Sequence, residues 1–248
     1  MRQLAKKWEL GKLNREELEA MAAAALEVLE CHRVLGKAGG NVVAELLPHD
    51  DTFRQFDHCP PGDIYDQDTY SQYYYHAHRS GEHGHFHTFM REIGIPEGIQ
   101  PVEQSEAPGM KKRNDKLSHL VSISMDRRGW PIGLFTTNRW VTSENWYRAD
   151  DVCAMLDHFE IDHTWPSWPT NRWVSAMLRL FRPQIVRLLH ERDAVVADWQ
   201  KKYPEVDVFE DRRLDLPSQL RISLNQQISA VQAALDAFGY EPDMANAG

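Results

Sequence analysis

From Asn14 onward the apolar positions recur at helical spacing, through Leu18, Met21, Ala22, Ala25, Leu26 and Leu29, which predicts an amphipathic helix reaching about Leu35. Asn14 followed three residues later by Glu17 is a capping-box start, and Gly36, Gly39 and Gly40 end the helix. Asn41 can then open a short second helix, Val43 to Leu47, before Pro48. Residues 48–69 carry Pro60, Pro61, Gly62 and several aspartates, a loop composition.

The period then changes. Tyr70 to Arg79 and His83 to Glu92 are rich in aromatic residues and separated by Ser80-Gly81, which predicts a β-hairpin. Residues 93–115 hold prolines and glycines but few apolar positions, and this stretch is a candidate lid. A second hairpin is predicted from Lys116–Met125 and Trp130–Thr137, turned by Asp126-Arg127-Arg128-Gly129. From Thr142 the pattern is helical again: Ala149 to Phe159, Asn171 to Lys202 with Asn171 as N-cap and a kink at Pro183, and Pro217 to Phe238.

These elements predict an α+β fold, an antiparallel sheet of two or more hairpins packed against N-terminal and C-terminal helices. The expected organisation is a single domain over residues 1–248, with a helical part at 1–47, the sheet at 70–137 and a helical part at 142–240. Thr137-Asn138-Arg139-Trp140-Val141-Thr142 resembles Thr170-Asn171-Arg172-Trp173-Val174-Ser175. Their flanks do not match, so similar helix-entry chemistry is expected rather than a repeat architecture.

Composition narrows the function classes. With 42% hydrophobic residues in 248, the chain can build its own core. No apolar run approaches the roughly 20 residues of a membrane span, and Met1 to Lys7 leads into a charged segment, so a cytoplasmic protein with no membrane partner is expected. Cys31, Cys59 and Cys153 are widely spaced, which indicates neither a disulfide framework nor a thiolate zinc site. A net charge of −9 argues against a nucleic-acid surface, and Lys111-Lys112-Arg113 and Arg127-Arg128 read as solvated loop charges. Nothing in the pattern specifies an oligomeric state.

The candidate chemistry lies in the first hairpin, where His76, His78, His83, His85 and His87 account for five of the twelve histidines. Steps of two keep side chains on one face of a strand. Turn length decides the rest. A two-residue turn at Ser80-Gly81 sets His78 opposite His83 and His76 opposite His85, so all five imidazoles share a face. A three-residue loop with Gly81 left-handed instead groups His76, His78 and Glu82, a two-histidine, one-carboxylate set suited to non-haem iron. His83, His85 and His87 then face the other way. Protonated neighbours repel and neutral ones need acceptors, so such a cluster points to a transition metal: iron, copper or zinc.

His119 alternates with Leu117, Val121, Ile123 and Met125, which predicts a core histidine, the alternative being a further ligand from a neighbouring strand. Asp157, His158, Glu160, Asp162 and His163 follow a helix end and read as capping and solvation groups. Asp57-His58-Cys59 is a weak nucleophile pattern, because sequence neighbours rarely have the geometry for proton transfer. Tyr74 has the parity of His76 and could support a ligand from behind.

The H-x-H-x-x-x-E spacing of His76, His78 and Glu82 is similar to part of the first cupin motif. Tyr70 and Phe89 stand where that motif has glycines, and no second motif follows. Arg79 to His87, together with Arg182 to Asp193, resembles a bacterial domain-of-unknown-function family over roughly Tyr70 to Asp193. That resemblance implies one domain and no activity.

The expected function is therefore a metal-dependent enzyme acting on a small-molecule substrate, an oxygen-activating oxidoreductase being one such activity, with Glu82 as ligand or catalytic general base. The alternatives are a metal buffer or sensor module and a helical interaction protein with incidental histidines.

Overall fold

In the computed structural model, which describes residues 10–47, 57–102 and 117–239, six α-helices and one six-stranded antiparallel sheet form an α+β fold. The strands are β1 (Cys59–Tyr65), β2 (Ser71–His76), β3 (Gly84–Arg91), β4 (Leu117–Met125), β5 (Pro131–Thr136) and β6 (Ser218–Arg221). They lie side by side in chain order.

The first helix, α1 (Arg15–Lys37), begins as the sequence predicts: the Glu17 backbone N–H donates to Asn14 Oδ1 at 2.9 Å, and the Asn14 N–H donates to Glu17 Oε2 at 2.8 Å. Asn41 starts a single 3-10 turn, Ala44–Leu46, by accepting from the Val43 and Ala44 N–H groups. The second hairpin also forms as expected. Asp126 Oδ1 accepts from the Arg128 and Trp130 N–H groups, and Gly129 takes the positive φ of 76° that the turn requires.

Four expectations are corrected. Cys59–Tyr65, inside the segment read as loop, is the edge strand β1; a register break between Cys59 and Ile64 accommodates the prolines, which cannot donate to a ladder. The expected kinked helix is two helices, α4 (Trp168–Leu180) and α5 (Arg182–Lys202). Pro183 lacks an N–H and its ring excludes the carbonyl four residues back, so it occupies the first turn of α5. Asn171 is not an N-cap but lies one turn inside α4, buried, so the two Asn-Arg-Trp segments do not share an entry role: only Asn138 caps a helix, α2 (Arg139–Thr142). The segment from Pro217 first makes β6, and only then α6 (Leu224–Gly239). The remaining helix, α3 (Ala149–Leu156), matches its expectation. Of the lid region, 93–102 is a 3-10 turn and coil, while 103–115 and Lys111-Lys112-Arg113 lie outside the described residues.

The sheet has two chemically different faces. One carries Tyr73, Tyr75, Phe86, Ile123 and Leu134, all buried, with Phe86 packed on Trp173 of α4 at 5.4 Å between ring centres. The Tyr73 hydroxyl donates to Asn171 Oδ1 at 2.6 Å, and Asn171 Nδ2 donates to the carbonyls of His163 and Trp165. Thr136 and Ser218 join on this face, and Ser218 donates to the Leu188 carbonyl of α5. Arg172 and Arg179 pair with Glu27 and Glu160, tying α4 to α1. No helix among the described residues is long and apolar enough to cross a membrane.

Asn171→Ala would leave a buried tyrosine hydroxyl and two carbonyls without partners, each worth about 1–3 kcal/mol when unsatisfied. Urea unfolding is expected to show a loss of roughly 2–4 kcal/mol, and Asn138→Ala, which removes a fully buried cap whose Nδ2 also donates to the Val208 carbonyl at 2.7 Å, should cost about as much.

Candidate metal centre

The ladder between β2 and β3 pairs His76 with His85 and Tyr74 with His87. That is the pairing of the two-residue-turn register, but the ladder stops there, and residues 77–83 form a loop with Gly81 at φ 90°. The second sheet face therefore carries Tyr74, His76, His85, His87 and Phe89, with Ser122 and Ser124 of β4 and Phe135 of β5 opposite them.

Three imidazoles converge. One nitrogen from each of His76, His85 and His87 lies within 4.8 Å of the others, and all three residues are buried. His76 Nε2 and His85 Nε2 are 2.8 Å apart. His78 stands beside them on the loop, its ring centre 4.7 Å from that of His76 and 5.0 Å from that of His85. His83 is on the other side of the sheet, where its Nδ1 meets the Tyr75 hydroxyl at 2.7 Å.

Glu82 sits behind His85 rather than among the converging nitrogens. Its Oε1 contacts His85 Nδ1 at 2.5 Å. Burial pushes the Glu82 carboxyl up, but hydrogen bonds from His85 and Ser124, helped by the charge of Arg79, outweigh it and leave it below its ordinary value. An ionised carboxylate only accepts, so His85 Nδ1 carries the proton and Nε2 presents a lone pair to the cluster. His87 is held likewise from behind, its Nδ1 lying 2.8 Å from Ser122 Oγ and 3.0 Å from His119 Nε2.

Burial drives the imidazoles of His76, His78, His85 and His87 toward the neutral form. His76 falls to about 3, with His85, His78 and His58 adding repulsion; His87 falls well below its ordinary value, and His85 and His78 are also lowered. Neutral imidazole is the ligating form. His76 Nδ1 is buried with no hydrogen-bond partner among the described residues.

His119 reaches this face through a bulge. Between the pairs His87–Ser122 and Phe89–His119 the β4 register shifts by one residue, which carries His119 off the face of Val121 and Ile123 and onto that of His87. The alternation in the sequence is real, but a single extra residue inverts its meaning. The His119 backbone N–H donates to Glu144 Oε2 in a short contact. Glu144 is fully buried, and burial raises its carboxyl to about 8 despite the opposing charges of Arg192 and Arg139. Neither Glu144 nor the role of Ser122 was signalled by any local pattern.

The remaining candidates have structural partners. His58 pairs with Asp63, not Asp57, at 2.7 Å, and stacks on Tyr74 at 3.6 Å between ring centres. Cys59 is buried in β1 with its thiol raised by burial and the nearby Asp57, the opposite of an activated nucleophile. Asp157 pairs with Arg182, and Glu160 with Arg172 and Arg179.

A family model described as a domain of unknown function, DUF6969, matches residues 22–222, and the chain belongs to that family. No curated protein and no solved structure matches the chain.

Because the Glu144 carboxyl ionises near pH 4.5 when unfolded and near pH 8 when folded, its contribution is complete at low pH and lost as pH rises between those values. Glu144→Gln should match wild type in urea midpoint near pH 4.5. Its relative stability should then grow with pH, by roughly 1.4 kcal/mol per unit, up to about pH 8. A difference independent of pH would show that the carboxyl is ionised throughout.

Proposed function

We propose that this member of DUF6969 is a metal-dependent enzyme whose centre is a single transition-metal ion bound by His76, His85 and His87. The observation that carries the reading is the buried convergence of three imidazoles from adjacent strands, with nitrogens within 4.8 Å of one another. Neutral nitrogen donors suit zinc, copper or iron. Two nitrogens at right angles, each about 2.0–2.1 Å from one ion, lie about 2.9 Å apart, close to the 2.8 Å separating His76 Nε2 from His85 Nε2. The spacing of that pair is within reach of one ion, and His87, whose nitrogen lies within 4.8 Å of both, would complete the set.

Three protein ligands leave coordination positions open for a substrate, the arrangement of catalytic rather than structural sites. The metal would supply Lewis acidity or, with iron or copper, oxygen activation for oxidation of a small molecule. The chain supplies the rest. Glu82 orients His85; Ser122 and His119 orient His87; Tyr74, Phe89 and Phe135 wall the site with apolar surface that excludes water.

A second reading rests on His78, whose ring is near enough to His76 and His85 to complete a four-imidazole shell, as in a metal buffer or sensor. A closed shell has no position for substrate.

Protein purified without a polyhistidine tag and supplied with cobalt(II), zinc or iron(II) is expected to retain about one equivalent, and His76→Ala with His85→Ala to retain less than about a tenth. His83→Ala should bind as wild type does. Retention below about a tenth of an equivalent by wild type would overturn both readings. A His78→Ala protein that keeps the metal and its cobalt spectrum favours the open site, and one that loses them favours the buffer.

A further inference from the structure

Beside the three histidines the loop at 77–83 places one cation, Arg79, whose surroundings are incomplete. Its guanidinium lies over the Phe135 ring, 4.4 Å from the ring centre, and Phe135 in turn contacts His85 at 5.1 Å and His87 at 6.0 Å. Among the described residues the nearest carboxylate is Glu82, 3.7 Å from Arg79 Nη1, beyond hydrogen-bond distance. Glu82 is already committed: its other oxygen is 2.5 Å from His85 Nδ1, and Ser124 donates to it as well. Arg79 Nη1 is consequently buried without an acceptor among the described residues.

That arrangement is expensive unless something else accepts. A buried N–H of a charged group left unpaired costs more than a neutral one. The three imidazoles do not accept from it: His76 Nε2 and His85 Nε2 face one another at 2.8 Å, and His87 Nδ1 is engaged by Ser122 and His119. A divalent ion on three imidazole ligands would retain its full charge and add to that of Arg79, with Glu82 the carboxylate that contacts a ligand histidine. The local field then favours an anion.

We propose that Arg79 is the substrate-recognition residue of this site and that the ligand it admits is a small oxyanion, a carboxylate or a phosphate. The proposal rests on the metal-site reading above. One oxygen of the anion would accept from Nη1 while the reacting part of the molecule lies toward His76, His85 and His87. Guanidinium is suited to this by its planar fork of donors, which matches the oxygens of either group. The Phe135 ring lies against the guanidinium, and the Glu82 carboxylate, which contacts His85 and approaches Arg79 to 3.7 Å, relates the recognition group to the metal ligands. The carboxylate near the cupin-like spacing thereby acts as a positioning residue on two sides.

The test uses the full chain loaded with cobalt(II), its metal content determined before any anion is added. Wild type, Arg79→Gln and Arg79→Lys are titrated with oxalate, with inorganic phosphate and with oxamide, the uncharged analogue of oxalate, while the visible cobalt bands are followed. At least one oxyanion is expected to shift the bands and to bind wild type about tenfold or more tightly than Arg79→Gln. Arg79→Lys should fall between them, and oxamide should not distinguish the three. The tighter of oxalate and phosphate identifies the anion class. Equal oxyanion affinity in wild type and both variants, at equal metal content, overturns the role of Arg79 while leaving the metal site standing. Failure of wild type to take up cobalt overturns the metal reading and this one with it. Should Arg79→Gln load poorly, Arg79→Lys, which preserves charge and stem, decides the matter, since a fork-specific site still predicts weaker oxyanion binding than wild type.

Discussion

The pairing of His76 with His85 is the constraint on which the rest of the molecule depends. Side chains alternate across a strand, so one choice of register assigns every residue of β2 and β3 to a face. With this register Tyr73, Tyr75 and Phe86 meet Trp173 of α4, while Tyr74, His76, His85 and His87 meet across the opposite face. A slip of one residue between the two strands would break both sets at once. The aromatic core is thus what holds the imidazoles buried against their own desolvation, since full burial of a large apolar side chain contributes about 1.5–3 kcal/mol.

The start of β3 shows how closely the two sides are coupled. A Cβ on Gly84 would fall against the Tyr75 hydroxyl and the His76 carbonyl. Tyr75 could not then close over the strand, nor meet His83. A glycine next to His85 is therefore a packing requirement of the core face that also sets where the histidine face begins. On that face charge is distributed economically: Glu82 serves His85 and approaches Arg79, and the neutral imidazoles are oriented from behind by Ser122, His119 and Glu82. The fixed groups stand around the position where an ion and an anionic ligand are proposed to bind.

Much of the local architecture was legible because the interactions that make it span only a few residues. Asn14 and Glu17, or Asp126 with Arg128 and Trp130, find one another two to four positions apart, and no distant element alters that. Elements that need a distant partner were misread. The sequence of β1 carries Pro60, Pro61 and Gly62 and becomes a strand only because β2 pairs with it; β6 is four residues long and is a strand only because β5 lies beside it. Asn171 has the composition of a cap, yet its amide is used by Tyr73, nearly a hundred residues earlier in the chain.

The histidine cluster divides along the same line. By itself the sequence determined that imidazoles at 76, 78, 83, 85 and 87 sit at alternating spacing near a hairpin, and that a metal is the economical reason for them. Only the tertiary structure decided which of them meet. The loop at 77–83 carries His78 beside the cluster and His83 away from it, and the β4 bulge carries His119 to it against the alternation of its own strand. Alternation is a property of the backbone and can be read from spacing. Which face is which, and who stands opposite, depends on register, bulges and the helices packed behind, and those are set by contacts among residues far apart in the chain.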